Sequence, residues 1–139
     1  MRIKIIAVGK IKKEYIRKGI LDYSKRLVHY IPFEVVEIKE EHLSRFIDVD
    51  AFNVLLDEKG KALTSAAFAL FIEKMMISSA KDIVFFVGGS EGFSDEFRKR
   101  ADFFLSLSKM TLPHEMARMV LVEQIYRAFT IIRGEKYHK

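Results

Sequence analysis

The chain has no cysteine and no tryptophan, and its prolines are Pro32 and Pro113 alone. The lack of cysteine excludes a disulfide scaffold, a thiolate nucleophile and a cysteine-ligated zinc, and it suits a reducing cytosol. Long apolar runs are missing too. The longest, Ala66 to Ile77, is broken by Glu73 and Lys74 and is too short to span a bilayer, so no membrane partner is expected. The opening Met1-to-Val8 stretch is apolar only briefly before it turns basic, and reads as a strand rather than a signal peptide. Histidine is sparse. His29, His42, His114 and His138 show no ligand spacing, and no metal is expected.

What is present describes one globular domain over residues 1–139. Half the residues are hydrophobic and twelve are Phe, enough to bury a core. Net charge is +5, unevenly placed. Residues 1–30 hold nine Lys and Arg against Glu14 and Asp22, and the segment from Lys109 onward holds six against three. Two basic regions therefore flank a near-neutral body. They are either solvated helix faces or a surface for a polyanion such as RNA or DNA phosphate.

Periodicity gives alternating strands and helices. Arg2 to Val8 is a buried strand, and Ile11 to Val28 a helix with Lys13, Arg17, Lys18 and Lys25 on its outer face. Phe33 to Ile38 is the second strand. Glu40 to Val49 is polar and weakly patterned, a short helical turn and loop. Ala51 to Leu56 is a third strand, and Asp57 to Gly60 a turn in which Gly60 is free to take positive φ. Thr64 or Ser65 caps a helix over Ala66 to Ser78. Ile83 to Val87 is the most strand-like run, Ser94 caps a helix with Asp95 and Glu96 in its first turn, and Phe103 to Leu107 is a short fifth strand. Pro113 opens a last helix that runs to about Ile132 and ends at Gly134. Such alternation implies an α/β fold, a mostly parallel sheet with helices on both faces.

Two segments carry chemistry. Val87-Gly88-Gly89-Ser90-Glu91-Gly92 joins a buried strand to a capped helix, where glycine lets a ligand approach the main chain. It is either a ligand turn or a plain tight turn. Neither a dinucleotide fingerprint nor a P-loop is present, so a neutral or cationic nucleoside fits better than a nucleotide. The second segment is the last helix with its tail. Met116, Met119, Val120, Leu121, Val122, Ile125, Tyr126, Phe129, Ile131 and Ile132 leave no wide polar face, so the helix needs cover on more than one side. The expected covers are the sheet and a second copy of the chain. Tyr137 and His138 lie beyond Gly134. They form either a frayed end or an aromatic–imidazole pair that stacks on a base beside Arg133, Lys136 and Lys139.

Taken together, Val87-Gly-Gly-Ser-Glu-Gly92, Leu105-Ser-Leu-Ser-Lys-Met-Thr-Leu-Pro-His114, Arg118, Glu123-Gln-Ile-Tyr-Arg-Ala128 and Tyr137-His-Lys139 resemble the ribosomal large subunit pseudouridine N3-methyltransferases, the smallest knotted methyltransferases of the SPOUT class. The resemblance spans almost the whole chain. It implies a trefoil knot in the C-terminal half, a cytoplasmic homodimer, S-adenosylmethionine as methyl donor, and a pseudouridine of 23S rRNA in the assembled ribosome as acceptor. It places the donor at Leu56, Gly88 and the loop Leu107, Ser108, Lys109, Met110, Thr111 and Leu112. It makes Arg127, Tyr137 and His138 the catalytic candidates, and His114, Arg118 and Glu123 the RNA-contacting ones. Within that scheme His138 is a candidate base, Arg127 an anion stabiliser or phosphate clamp, and Tyr137 a group that orients the acceptor. The family commonly carries a longer segment between the second and third strands, often a full helix; here only Lys39 to Asp50 is available. A module that only docks on RNA, and a structural ribosome-associated factor, are the rival readings.

Overall fold

In the computed structural model, which describes residues 1–79 and 81–139, five strands form one sheet in the order β2-β1-β4-β3-β5. They are β1 (Ile3–Val8), β2 (Phe33–Ile38), β3 (Phe52–Ala62), β4 (Ile83–Val87) and β5 (Phe103–Ser106). Every pairing is parallel. β1 and β4 sit centrally, covered on both faces, and are accordingly runs of Ile, Val and Phe with Ile3, Ile5, Ile83, Phe85 and Phe86 fully buried.

The helices are α1 (Glu14–Leu27), α2 (Ser65–Ser78), the single turn α3 (Asp95–Arg98) and α4 (His114–Ile132). The capping expectation resolves to Thr64, whose hydroxyl accepts from Ala67 N at 3.0 Å. Ser94 caps α3 in the same way, accepting from Phe97 N.

Cover is unequal on the two faces. α1, α2 and α4 share one core with Ile3, Ile5, Val54 and Phe85. The opposite face, with Ile6, Leu55, Val84 and Phe86, is closed by only two short pieces. They are a 3-10 segment over Glu40–Phe46, through Leu43, and α3, through Phe97. Lys39 to Asp50 is too short to lay a full helix across a sheet, and the 3-10 turn is what fits.

One expectation about the strands needs correction. Asp57 to Gly60 is not a turn that ends the third strand. β3 continues to Ala62, and its register against β5 slips so that Leu56 and Lys61 both face Leu105. The four residues between form a bulge. Gly60 is there for close approach rather than for positive φ, because a Cβ would lie 2.7 Å from the Phe104 carbonyl carbon and oxygen. α4 is packed by α1 on one flank and α2 on the other, and Leu121, Val122, Ile125, Ala128 and Phe129 are buried there.

A polar clasp fixes the start of α4. The Glu115 carboxylate accepts from Lys12 N and Lys13 N at 3.1 and 3.2 Å, and these N–H groups hold it below the ordinary carboxylate range. Arg118 is 1% exposed. It donates to Glu37 Oε2 at 2.8 Å and to the carbonyls of Val8 and Gly9 at 3.2 and 3.1 Å. Glu37 Oε2 also accepts from Ile11 N. Burial pushes the Arg118 guanidinium pKa down while Glu37 opposes the shift. The expected RNA contact of Arg118 is therefore corrected here. In this structure Arg118 ties the end of β1 to α4 and has no surface to offer.

Candidate active site

All five strands point the same way, so their carboxyl ends gather at one edge, the edge where open α/β sheets hold ligands. A cleft of about 530 Å³ opens there, within the range of small-molecule sites. Its walls come mainly from three places far apart in sequence, with Arg98 of α3 added. Leu56, Asp57 and Glu58 enter from the β3 bulge, Val87 to Phe93 from the turn after β4, and Leu105 to Ala117 from the end of β5 into α4. Of the eight residues expected around the donor, seven line this cleft: Leu56, Gly88, Leu107, Ser108, Met110, Thr111 and Leu112. Lys109 belongs to the same loop but does not line it. His114, expected at the RNA, lines the cleft too.

The glycine turn closes on itself through a bridge between Gly89 and Gly92, with Gly92 at φ +71°. Gly88 keeps the cleft open, since a Cβ would lie 3.3 Å from Phe93 Cζ and 3.4 Å from the Gly92 backbone. The loop before α4 is fixed by small hydroxyls. Ser106 Oγ donates to the Ser108 carbonyl, Ser108 Oγ accepts from Met110 N, and Thr111 Oγ1 donates to Glu58 Oε2 at 2.8 Å.

Sequence reasoning missed the acidic wall. Asp57 pairs with Arg98 Nη1 at 2.6 Å and accepts from Lys59 N. Burial alone would raise its pKa, but those two donors hold it below the ordinary carboxylate range. The bulge turns Asp57 and Glu58 towards the cleft, and no strand periodicity announces a bulge. Arg98, the one Arg or Lys lining the cleft among the described residues, is spent on Asp57 and on the Phe104 ring, 4.7 Å from its guanidinium carbon.

The three catalytic candidates form a second cluster. Arg127 grips Glu123, with Nη2 2.8 Å from Oε2, and this hydrogen bond raises its pKa. Arg127 Nη1 lies 3.1 Å from His138 Nδ1, and its guanidinium covers the Tyr137 ring at 4.8 Å. Tyr137 donates to Glu123 Oε2 at 2.7 Å, lies 3.4 Å from the Tyr23 hydroxyl, and packs edge-on to Tyr126. Burial, then the bonds to Tyr23 and Glu123, push the Tyr137 phenol above its ordinary pKa. The tail is thus docked rather than frayed. Glu123, expected at the RNA, is the carboxylate that organises this group.

Arg127 sits thirteen positions beyond His114 on α4, roughly 20 Å at 1.5 Å per residue. Within one chain the cleft and the tail cluster are separate places.

A sequence model described as "Predicted SPOUT methyltransferase" matches residues 1–138. The chain belongs to the SPOUT methyltransferase family. This family member is 48% identical over 139 residues to a protein of Coprothermobacter proteolyticus named ribosomal RNA large subunit methyltransferase H, with all of both chains covered. It is 43% identical to a protein of the same name from Geobacter metallireducens, with 99% of each covered. The second alignment runs over 152 positions, at least 13 more than this chain has residues.

Solved structures agree on the fold of this SPOUT methyltransferase. A probable methylase family protein from Haemophilus influenzae superimposes with a TM-score of 0.58 at 13% identity, covering 99% of this chain and 70% of that one. The SpoU methyltransferase AviRb from Streptomyces viridochromogenes, determined in complex with AdoMet, gives 0.56 at 10% identity, covering 94% and 58%. Among the described residues no helix is long and apolar enough to cross a membrane, and no three His, Asp or Glu side chains gather at metal-binding distance.

Proposed function

We propose that this chain is an S-adenosylmethionine-dependent methyltransferase of the large ribosomal subunit, acting on N3 of a pseudouridine in 23S rRNA within the assembled, cytoplasmic ribosome. The observation that carries this reading is the cleft itself. It joins Leu56, Gly88, Leu107, Ser108, Met110, Thr111 and Leu112 around a space where, among the described residues, the one Arg or Lys is Arg98, already paired with Asp57, while Asp57, Glu58 and Glu91 line it. That environment suits a nucleoside bearing a positive sulfonium and an ammonium, and disfavours a nucleoside triphosphate. The names of the 48% and 43% identical relatives supply the substrate class.

The donor supplies an electrophilic methyl when bound, so the protein's work is alignment and proton handling. Holding two reactants in attack geometry removes roughly 7–11 kcal/mol of barrier. Backbone groups of the glycine turn and of the loop before α4 would hold the adenosine, and Asp57, Glu58 and Glu91 would offset the positive charge. As the methyl moves to N3 and the donor leaves as neutral S-adenosylhomocysteine, the N3 proton passes to solvent water, and a positive charge such as Arg127, brought from a second copy, would favour that loss. His138 has a defined role in the docked tail. A guanidinium only donates, so His138 Nδ1 accepts from Arg127 and its Nε2 carries the proton. In that tautomer Nε2 donates to a carbonyl of the acceptor base rather than taking its proton. Tyr137, held protonated against Glu123, orients the same nucleotide.

We propose further that the working unit is a homodimer. The roughly 20 Å between His114 and Arg127 along one helix is too far for both to touch one nucleotide. A second copy brings its own α4 end and tail to the mouth of the first cleft. The threaded path of the C-terminal segment implied by the family is consistent with α4 lying between α1 and α2.

Transfer of a tritiated methyl from S-adenosylmethionine to assembled ribosomes, free rRNA and separated subunits tests the reading. Labelling of assembled ribosomes in the large-subunit rRNA is the expected result. No incorporation into any of the three contradicts it.

A further inference from the structure

A second cavity, of about 700 Å³, lies at the carboxyl ends of β1 and β2, and none of the donor-cleft residues lines it. It exists because the segment after β2 is short. The 3-10 turn Glu40–Phe46 does not reach across the sheet edge, and Val8, Ile38 and Phe46 are left as an apolar floor. The two cavities adjoin. Val8 lines the second, Gly89 lines the first, and a Cβ built on Gly89 would lie 3.6 Å from Val8 Cγ1.

The rim is polar, with Lys10, Lys39, Arg45, His42, Glu37 and Glu40. Its charge is more positive than that roll suggests. Glu37 is answered from beneath by Arg118 at 2.8 Å. Lys10, Lys39 and Arg45 enter no ion pair among the described residues, and Glu40 alone opposes them. His42 Nδ1 is buried and has no hydrogen-bond partner.

We propose that this cavity receives a nucleotide of the RNA substrate that flanks the methylated one, a proposal that rests on the rRNA reading above. An apolar floor under a cationic rim matches a splayed-out nucleotide, with its base face on Val8, Ile38 and Phe46 and its phosphate against Lys39 and Arg45. Position supports the same occupant, because the cavity shares the Val8–Gly89 wall with the donor cleft and one strand of RNA would cover both.

The test uses the full chain and assembled ribosomes. Lys39→Glu with Arg45→Glu should raise the KM for ribosomes roughly tenfold or more, with kcat and the Kd for S-adenosylmethionine unchanged. Lys74→Glu with Lys81→Glu makes the same charge change away from the cavity and should move KM by less than about threefold. Equal losses in the two pairs would mean diffuse attraction and would overturn the proposal, as would an unchanged KM in the first pair. Ultraviolet crosslinking of ribosomes to the wild-type protein, with peptide mapping, reads the contact directly. An RNA adduct within residues 38–46 supports the site, and adducts confined to other segments overturn it. Crosslinking there without methyl transfer by the wild type would sink the methyltransferase reading and leave this RNA site standing.

Discussion

The Tyr137 hydroxyl donates to Glu123 Oε2 at 2.7 Å, and that one oxygen also takes Arg127 Nη2 at 2.8 Å. Tyr137, two positions before Lys139, is thereby locked to the middle of α4. The same carboxylate fixes the guanidinium that reaches His138. Order in the tail and the placing of Arg127 are one event, with Glu123 at its centre.

Glu123→Gln keeps the shape and removes the charge. It should free the tail, lowering methyl transfer to ribosomes by roughly 10- to 100-fold, while the Kd for S-adenosylmethionine stays unchanged. Faster amide exchange at residues 135–139 checks the structural half. Wild-type protection in the variant would show that Glu123 does not hold the tail.

Arg127→Lys should be nearly as damaging as Arg127→Ala. A lysine carries the charge but cannot grip Glu123 and reach His138 Nδ1 at once. Single-turnover rates decide it. Near wild-type chemistry in the lysine variant would mean that charge alone suffices.

Arg118→Ala leaves Glu37 and the carbonyls of Val8 and Gly9 without their donor. Because Glu37 is about one-third exposed, the loss should sit near the low end for a broken buried pair, about 3 kcal/mol. Urea unfolding measures it. A stable Arg118→Ala protein with weakened RNA binding would restore the expectation that Arg118 contacts RNA.

The Tyr30 hydroxyl donates to Glu135 at 2.8 Å, and burial with that hydrogen bond pushes its pKa up to about 12. A folded pKa above the unfolded value of about 10 means stabilisation that is complete below pH ~10 and is lost as pH rises towards 12. Phenolate absorbance should therefore show one late-ionising tyrosine fewer in Tyr30→Phe than in the wild type. Titration of Tyr30 at its ordinary pKa would contradict the contact.

Much of this was legible in the sequence because burial and period leave marks. Ile83 to Val87 and Phe33 to Ile38 are strands with the expected limits, since branched and aromatic runs between turn signals have few alternatives. The loop that lines the cleft before α4 was singled out through its resemblance to a known family. The rest depends on distant partners. Nothing local tells that Gly60 answers Phe104, that the bulge turns Asp57 into the cleft, or that Arg118 meets Glu37 across 81 positions. A basic residue in a helix reads as surface until its buried acid is found. The tail, read as either frayed or stacking, is docked because Glu123 and Tyr23 await Tyr137.

The central claim is that the cleft around Gly88 holds a phosphate-free, positively charged nucleoside. Calorimetric titration of the wild-type protein and of Gly88→Val with S-adenosylmethionine and with ATP tests it most directly. The account predicts that the wild type binds S-adenosylmethionine and not ATP, and that Gly88→Val, whose side chain would press on Phe93, binds neither. ATP binding by a wild type silent to S-adenosylmethionine, or undiminished S-adenosylmethionine binding by Gly88→Val, would contradict it.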